Sequence, residues 1–300
     1  MRLPNLTTLD QLADNYHVEL QSLEIKMSRS ENLPVLPQIA SSVLRLADDP
    51  DSSSRQMEKL IERDSAIAAK VLRVANSSYY GLGNVPSIGR AISILGMNTV
   101  RSLVIGIAYQ QIIAARQLSK QFSKVEFWRH SVAVAMAAKI LGKLKMPGRA
   151  EDLYSAALMH DVGLLVLDRF APDELDQAIQ LAREQKIRLF QAEQLLFDFD
   201  HAQIGGLLAD RWGLTGPLRN AIRYHHSPAE DEQFMEFTAF VAVADVLAHQ
   251  CGFTNNMDGC DVELDPELLA VVGIPEEQLD PIRSVIISEI ERVQDALQIK

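Results

Sequence analysis

Residues 156–167, Ala156-Ala157-Leu158-Met159-His160-Asp161-Val162-Gly163-Leu164-Leu165-Val166-Leu167, form an apolar run of helical character with an adjacent histidine and aspartate set in its middle. An ionised carboxylate in such surroundings is costly unless it is paired or bound to a metal. The conflict recurs in two comparable helices. His130 sits inside Phe127-Trp128-Arg129-His130-Ser131-Val132-Ala133-Val134, and Asp245 inside Phe240-Val241-Ala242-Val243-Ala244-Asp245-Val246-Leu247. Long apolar segments with helical period predict an all-α chain, and their isolated polar residues predict one shared site.

Outward from that run, helices are expected over about 125–144, 151–168, 172–187, 190–197, 201–212, 217–226 and 234–250. Gly213 is placed to stop the helix containing Trp212, and Pro217 suits a helix start. Upstream, Pro37 to about Ala115 reads as a compact helical unit turned by Asp48-Asp49-Pro50-Asp51. It holds helices near 54–62 and 65–76, with Asp64 capping the second. An amphipathic helix over about 8–28, opened by the capping pair Thr8 and Gln11, precedes it. Amphipathic helices at 265–272 and 275–297 close the chain, and the last suits either a core cover or a dimer contact. The expected division is an N-terminal helix (1–28), a helical subdomain (29–115), a helical core carrying the site (116–260) and C-terminal helices (261–300).

The net charge is −11 and uneven. Residues 116–300 carry 18 Lys and Arg against 29 Asp and Glu, whereas residues 29–115 carry nine against seven. An acidic half is a poor nucleic-acid surface. Ile88–Val104 has the outline of a helix–turn–helix bent at Gly96, but Arg90 and Arg101 are its only basic residues. Corners of this kind are common packing devices, so solvated or salt-bridged arginines are expected and nucleic acid is not an expected partner. Cys251 and Cys260 make no CxxC pair and read as reduced thiols. No apolar stretch reaches the roughly 18 residues needed to span a bilayer. No signal-peptide core follows Met1-Arg2-Leu3-Pro4-Asn5, so a cytoplasmic protein of bacterial type is expected, with no membrane partner.

Histidines and carboxylates fall in the order Glu126, His130, His160-Asp161, His201, His225-His226, Asp245. Glu126 and His130 are four apart and share a helix face. Asp161 has two oxygens and can bridge two ions, and Ser227-Pro228 is expected to end the helix just after His225-His226, so that both rings can turn inward. Singly, each residue has a plain explanation: a hydrogen-bonded core histidine, or a solvated acid at Glu126. Together, His130, His160, Asp161 and Asp245 would each need separate satisfaction in apolar helices, and a metal satisfies them all. Imidazole with carboxylate suits iron, manganese, zinc or nickel. His17 and His249 read as unrelated to the site.

His130, then His160-Asp161, then Asp245 resembles the H…HD…D signature of the HD-domain metal-dependent phosphohydrolases. The added His201 and His225-His226 resemble their HD-GYP branch, which implies a centre of one to three metal ions with His160 and Asp161 as its catalytic pair. The chain is more similar still to the HDOD family. The matching segments are Leu33-Pro34-Val35-Leu36-Pro37, Lys70-Val71-Leu72-Arg73-Val74-Ala75-Asn76-Ser77, Ala91-Ile92-Ser93-Ile94-Leu95-Gly96, Phe127-Trp128-Arg129-His130-Ser131 and Ala221-Ile222-Arg223-Tyr224-His225-His226. That resemblance covers roughly residues 30–250. It implies a helical N-terminal subdomain packed on an HD-like core, and a regulatory output module of bacterial signalling. Two departures from active HD-GYP enzymes stand out: Leu164 occupies the place of the HD-x-G-K lysine, and Ser227-Pro228-Ala229-Glu230-Asp231 replaces the GYP loop.

Three functions follow as expectations. The first is a signalling module whose retained metal site is structural, sensory or ligand-binding, with a phosphorylated small molecule or nucleotide as the ligand class, a protein partner met through loop residues such as Asn76, Tyr79 and Tyr80, and input arriving from another molecule. The second is a metal-dependent phosphohydrolase acting on a nucleotide or other phosphoester. The third is nucleic-acid binding through residues 88–104. A homodimer through residues 275–297 remains an open alternative.

Overall fold

A computed structural model describes residues 20–30, 33–34, 36–47, 51–81, 83–214 and 216–297. Thr8, Gln11 and His17 lie outside the described residues, as do Asp48, Asp49 and Pro50 of the expected turn. Among the described residues there is no strand, and none of their helices is long and apolar enough to cross a membrane.

Four short helices, α2 (Gln38–Ala47), α3 (Ser54–Glu62), α4 (Ser65–Ala75) and α5 (Ile88–Leu95), follow an outlying α1 (Leu20–Arg29). Their apolar stripes meet in a small core of Val43, Met57, Ile61, Ile67, Val71 and Ile88. Local chemistry sets the boundaries. Asp64 accepts from the N–H groups of Ala66 and Ile67 to open α4. Ser87 opens α5, and Gly96 closes it at φ 87°, a conformation that favours glycine. Asn76 joins the ends of the long 76–86 loop. Its amide donates to Leu72 and Val85 carbonyls, and its oxygen accepts from Val85 N–H.

Helix α6 (Met97–Ile113) leads from this unit into the main core and is buried at every residue from Val100 to Tyr109. A recognition helix needs a free face to enter a groove. This one has none, so the helix–turn–helix outline is a packing corner, and Arg101 is ion-paired with Asp152 inside it. Helix α7 (Lys124–Lys145) is the central rod, opened by Ser123 Oγ accepting from Glu126 N–H. Around it lie α8 (Ala150–Leu158), α14 (Met235–Gln250) and α16 (Leu279–Leu297). Beyond them come α9 (Val162–Phe170), α10 (Pro172–Gln185), α11 (Leu189–Phe197), α12 (His201–Arg211), α13 (Gly216–Tyr224) and α15 (Pro266–Val272).

The run at 156–167 is not one helix, as its apolar character predicts, but two helices broken at Met159-His160-Asp161. In a continuous helix the Ala157 carbonyl would accept from the Asp161 N–H. Here it accepts from His160 Nδ1 at 2.7 Å, and the chain turns. Gly163 then lets α9 touch α12: a Cβ on it would lie 1.9 Å from the His201 carbonyl oxygen.

Helix α16 covers the core rather than leaving its apolar face free, because Ile282, Ile286, Ile290 and Val293 are buried. Each such side chain contributes about 1.5–3 kcal/mol on burial, which decides where the helix lies. Tyr79 is held there too. Its hydroxyl donates to Glu289 at 3.1 Å and its ring lies under Arg292, while Tyr80 packs edge-on against it. Asn76 and Tyr79 are therefore spent on internal contacts rather than free for a partner.

Candidate metal centre

Five elements deliver the site. Helix α7 presents His130, the α8–α9 turn presents His160 and Asp161, and the first residue of α12 is His201. The turn after α13 carries His225-His226, and α14 carries Asp245. Their donor atoms converge in two groups: Asp161 with His201, His225 and His226, and His130 with His160 and Asp245. Within each group the donors lie within 4.8 Å of one another. Asp161 joins them. Its Oδ1 lies 3.1 Å from His201 Nε2, 3.4 Å from His225 Nε2 and 3.2 Å from His160 Nε2, and its Oδ2 lies 3.7 Å from His130 Nε2. Asp245 Oδ1 stands 3.1 Å from His130 Nε2 and 3.8 Å from His160 Nε2.

The outer ring nitrogens fix what the inner ones are. His130 Nδ1 donates to the Phe253 carbonyl at 2.8 Å, His160 Nδ1 to Ala157 and His225 Nδ1 to Ile222 at 2.9 Å. A carbonyl can only accept, so each Nδ1 carries the proton, and in its neutral form each ring turns a bare Nε2 lone pair inward. Those three Nε2 atoms and Asp245 Oδ1 are buried and lack hydrogen-bond partners. Lone pairs facing carboxylate oxygens repel unless a cation lies between them. Protonating every ring is the worse alternative, because the His225–His226 and His160–His225 centroids are 4.0 and 4.9 Å apart and every candidate ligand but His226 is buried. The donor set therefore fits divalent ions.

With no cation between them, the carboxylates favour protons on the rings instead: burial opposes a charged His160, but Asp161 and Asp245 raise its pKa. Burial opposes the Asp161 carboxylate, but His160, His201 and His225 outweigh it and hold its pKa well below the usual range. Burial likewise opposes a charged His201, yet Glu193 and Asp161 hold it well above its ordinary value. Burial, His225 and His201 push His226 far down.

Glu126 does not join either group. It faces Arg129 at 3.3 Å, a helix-surface pair one turn along from Ser123. His249, expected to be unrelated, is beside the centre, its Nε2 3.4 Å from Asp245 Oδ1. The spacing of four from Asp245 was the signal for it. Two residues had no sequence signal. Arg188, just before α11, reaches Asp245 at 3.2 Å and Asp258 at 2.8 Å. Glu193, fully buried in α11, accepts from both the ring Nδ1 (2.7 Å) and the N–H (2.9 Å) of His201. Leu164 is buried and brings no charge, so Arg188 is the cation beside the centre. The loop after α14 closes the outer side: Phe253 supplies the carbonyl for His130, and Asn255 reaches Asp161 at 3.5 Å. His249 and Asn255 also line a cavity of about 620 Å³ that opens outward.

The HDOD domain family model matches residues 33–228. The chain belongs to the HDOD family. This HDOD chain shares 24% identity with an HDOD domain protein of unknown function from Geobacter sulfurreducens, over 97% of this chain and 99% of that one, with a TM-score of 0.79. It is 22% identical to a suspected signal transduction protein from Marinobacter aquaeolei over 98% of this chain and 65% of that one, with a TM-score of 0.75. A suspected phosphohydrolase from Shewanella amazonensis is 24% identical over 92% of this chain and 97% of that one, with a TM-score of 0.70. These are likenesses of fold. An uncharacterised protein of Treponema pallidum is 25% identical over 240 residues, and the HDOD chain spans 46% of that relative's length. Asp245 and His249 lie beyond the matched family span, and the fold brings both to the site.

Proposed function

We propose that this chain is a regulatory HDOD module of a bacterial signalling pathway, cytoplasmic, that has kept a metal centre. The observation that carries the reading is the set of inward, unpartnered Nε2 atoms on His130, His160 and His225, aimed at two buried carboxylates. His130, His160 and Asp245 would hold one ion and His201, His225 and His226 a second, with Asp161 shared between them. The ligand chemistry suits iron, manganese, zinc or nickel. The candidate ligands other than His226 are at most 4% exposed, which suits a centre that holds the fold or senses its occupancy. Output would pass to a protein partner, and the name of the Marinobacter aquaeolei relative points the same way.

A second reading is phosphoester hydrolysis, favoured by Arg188 beside Asp245 and by the outward cavity at His249. Bound there, divalent ions supply Lewis acidity toward a phosphate oxygen. His160 and Asp161 would then be the catalytic pair, and Arg188 would offset phosphate charge.

Metal-loaded protein assayed with bis(4-nitrophenyl) phosphate and with a cyclic dinucleotide separates the readings. The regulatory account expects bound metal with no turnover above a His160→Ala/Asp161→Ala protein. Turnover that this double substitution abolishes would replace it with the second reading.

A further inference from the structure

A second polar cavity, of about 300 Å³, lies between the N-terminal helices and the core, away from the metal ligands. Among the described residues, Arg45 of α2, Arg101 of α6 and Arg149 before α8 line it, with Asp152 as the one acid. Asp152 is already committed, one oxygen to Arg101 and the other to Arg149 Nε at 2.6 Å. Among the described residues, Arg45 donates to Ser42 Oγ at 3.2 Å. Arg101 is 7% exposed, and its Nε is buried without a partner. Three guanidiniums against one carboxylate leave a formal excess of two positive charges. The first turn of the nine-residue helix α13, at Gly216, Pro217 and Leu218, adds its own partial positive charge.

We infer that this cavity binds a small organic phosphate of mononucleotide size. The charge matches a phosphomonoester dianion, which guanidinium forks recognise well. Beside Ser41 and Ser155, the remaining wall carries Leu44, Trp212 and Leu214, which accommodate an organic portion that bare phosphate lacks. The volume stands at the lower end of small-molecule pockets, which run from about 300 Å³. The site is separate from the metal centre yet mechanically adjacent to it. Helices α8 and α13 both start at the cavity and both end just before metal-site residues, His160-Asp161 and His225-His226. Nine helical residues put the two sites about 13 Å apart along each helix.

Trp212 gives a direct readout. In a full-length Trp128→Phe protein it is the one remaining tryptophan. Its fluorescence should respond saturably to adenosine or guanosine 5′-monophosphate, measured in chelator so that metal plays no part. Adenosine should give no response, and inorganic phosphate should bind at least about tenfold more weakly than the nucleotide. Arg45→Ala and Arg149→Ala should each weaken nucleotide binding about tenfold or more, the loss expected for one charge-assisted hydrogen bond. Arg116→Ala/Arg169→Ala, in a different basic cavity, should not change it. No saturable response at millimolar nucleotide, or a response that survives both single substitutions, overturns the inference. Phosphate binding as tight as nucleotide overturns the organic-phosphate assignment.

Discussion

At Asp161 a single carboxylate faces four imidazoles from four different segments, so whatever orients those rings controls the centre. Glu193 does this for His201 with one oxygen on the ring and the backbone N–H. Second-layer carboxylates of this kind set ring orientation and ligand basicity, and their loss costs about 10–100-fold in metal affinity. Glu193→Gln should therefore weaken metal binding by that factor in a chelator competition while leaving the helical spectrum intact. An unchanged affinity would contradict the role given to Glu193. Asp231 performs a comparable task after the His225-His226 turn. It accepts from Thr238 Oγ1 at 2.6 Å, Asn220 Nδ2 at 2.7 Å and the N–H of Phe234 at 2.9 Å, tying α13 to α14. Burial works against its charge, but those bonds win and hold its pKa below the ordinary value. A carboxyl lowered on folding contributes stability above its unfolded pKa of about 3.9 and loses it as pH falls through the folded value. The stability gap between wild type and Asp231→Asn should be full near neutrality and shrink on acidification. A gap constant through the acid range would contradict this. These residues also mark the limit of legibility. His130, His160, Asp161 and Asp245 stood out in sequence because charge in an apolar helix needs a reason. Glu193 and Arg188 sit in ordinary amphipathic surroundings, and only the fold gives them theirs, by setting Glu193 against His201 of α12 and Arg188 against Asp245 of α14 and Asp258 after it.

Among the elements, α9 and α12 make the contact on which the site depends. Gly163 lies against the His201 carbonyl, so Gly163→Ala must push α12, and His201 with it, away from Asp161. Overpacking of this kind costs about 1–3 kcal/mol. For a chain of this size each kcal/mol lowers Tm by about 2–4 °C. Gly148→Ala, whose added Cβ meets nothing within 4 Å, is the control. Equal melting of the two variants would remove the contact from the account. Helix positions were readable because caps and stops are local, as at Asp64, Ser87 and Gly213. The break at Met159–Asp161 was not, since no glycine or proline marks it. It comes from a histidine ring competing for a backbone carbonyl.

Across the whole molecule the candidate ligands bring α7, the α8–α9 turn, α12, the end of α13 and α14 to one point. The small N-terminal core has no such pin and relies on aliphatic packing alone. An ion bound only by the folded state stabilises it by about 2.7 kcal/mol at 100 times its Kd. Chelation should accordingly lower Tm, with the loss restored by adding the ion back. The most direct test is the metal content of anaerobically purified wild type beside the His160→Ala/Asp161→Ala protein. The account predicts transition metal in the wild type, approaching two ions per chain, and its loss in the variant. A folded wild type that takes up no metal under any loading condition would contradict it, and would make the inward lone pairs a hydrogen-bonded cluster of protonated rings.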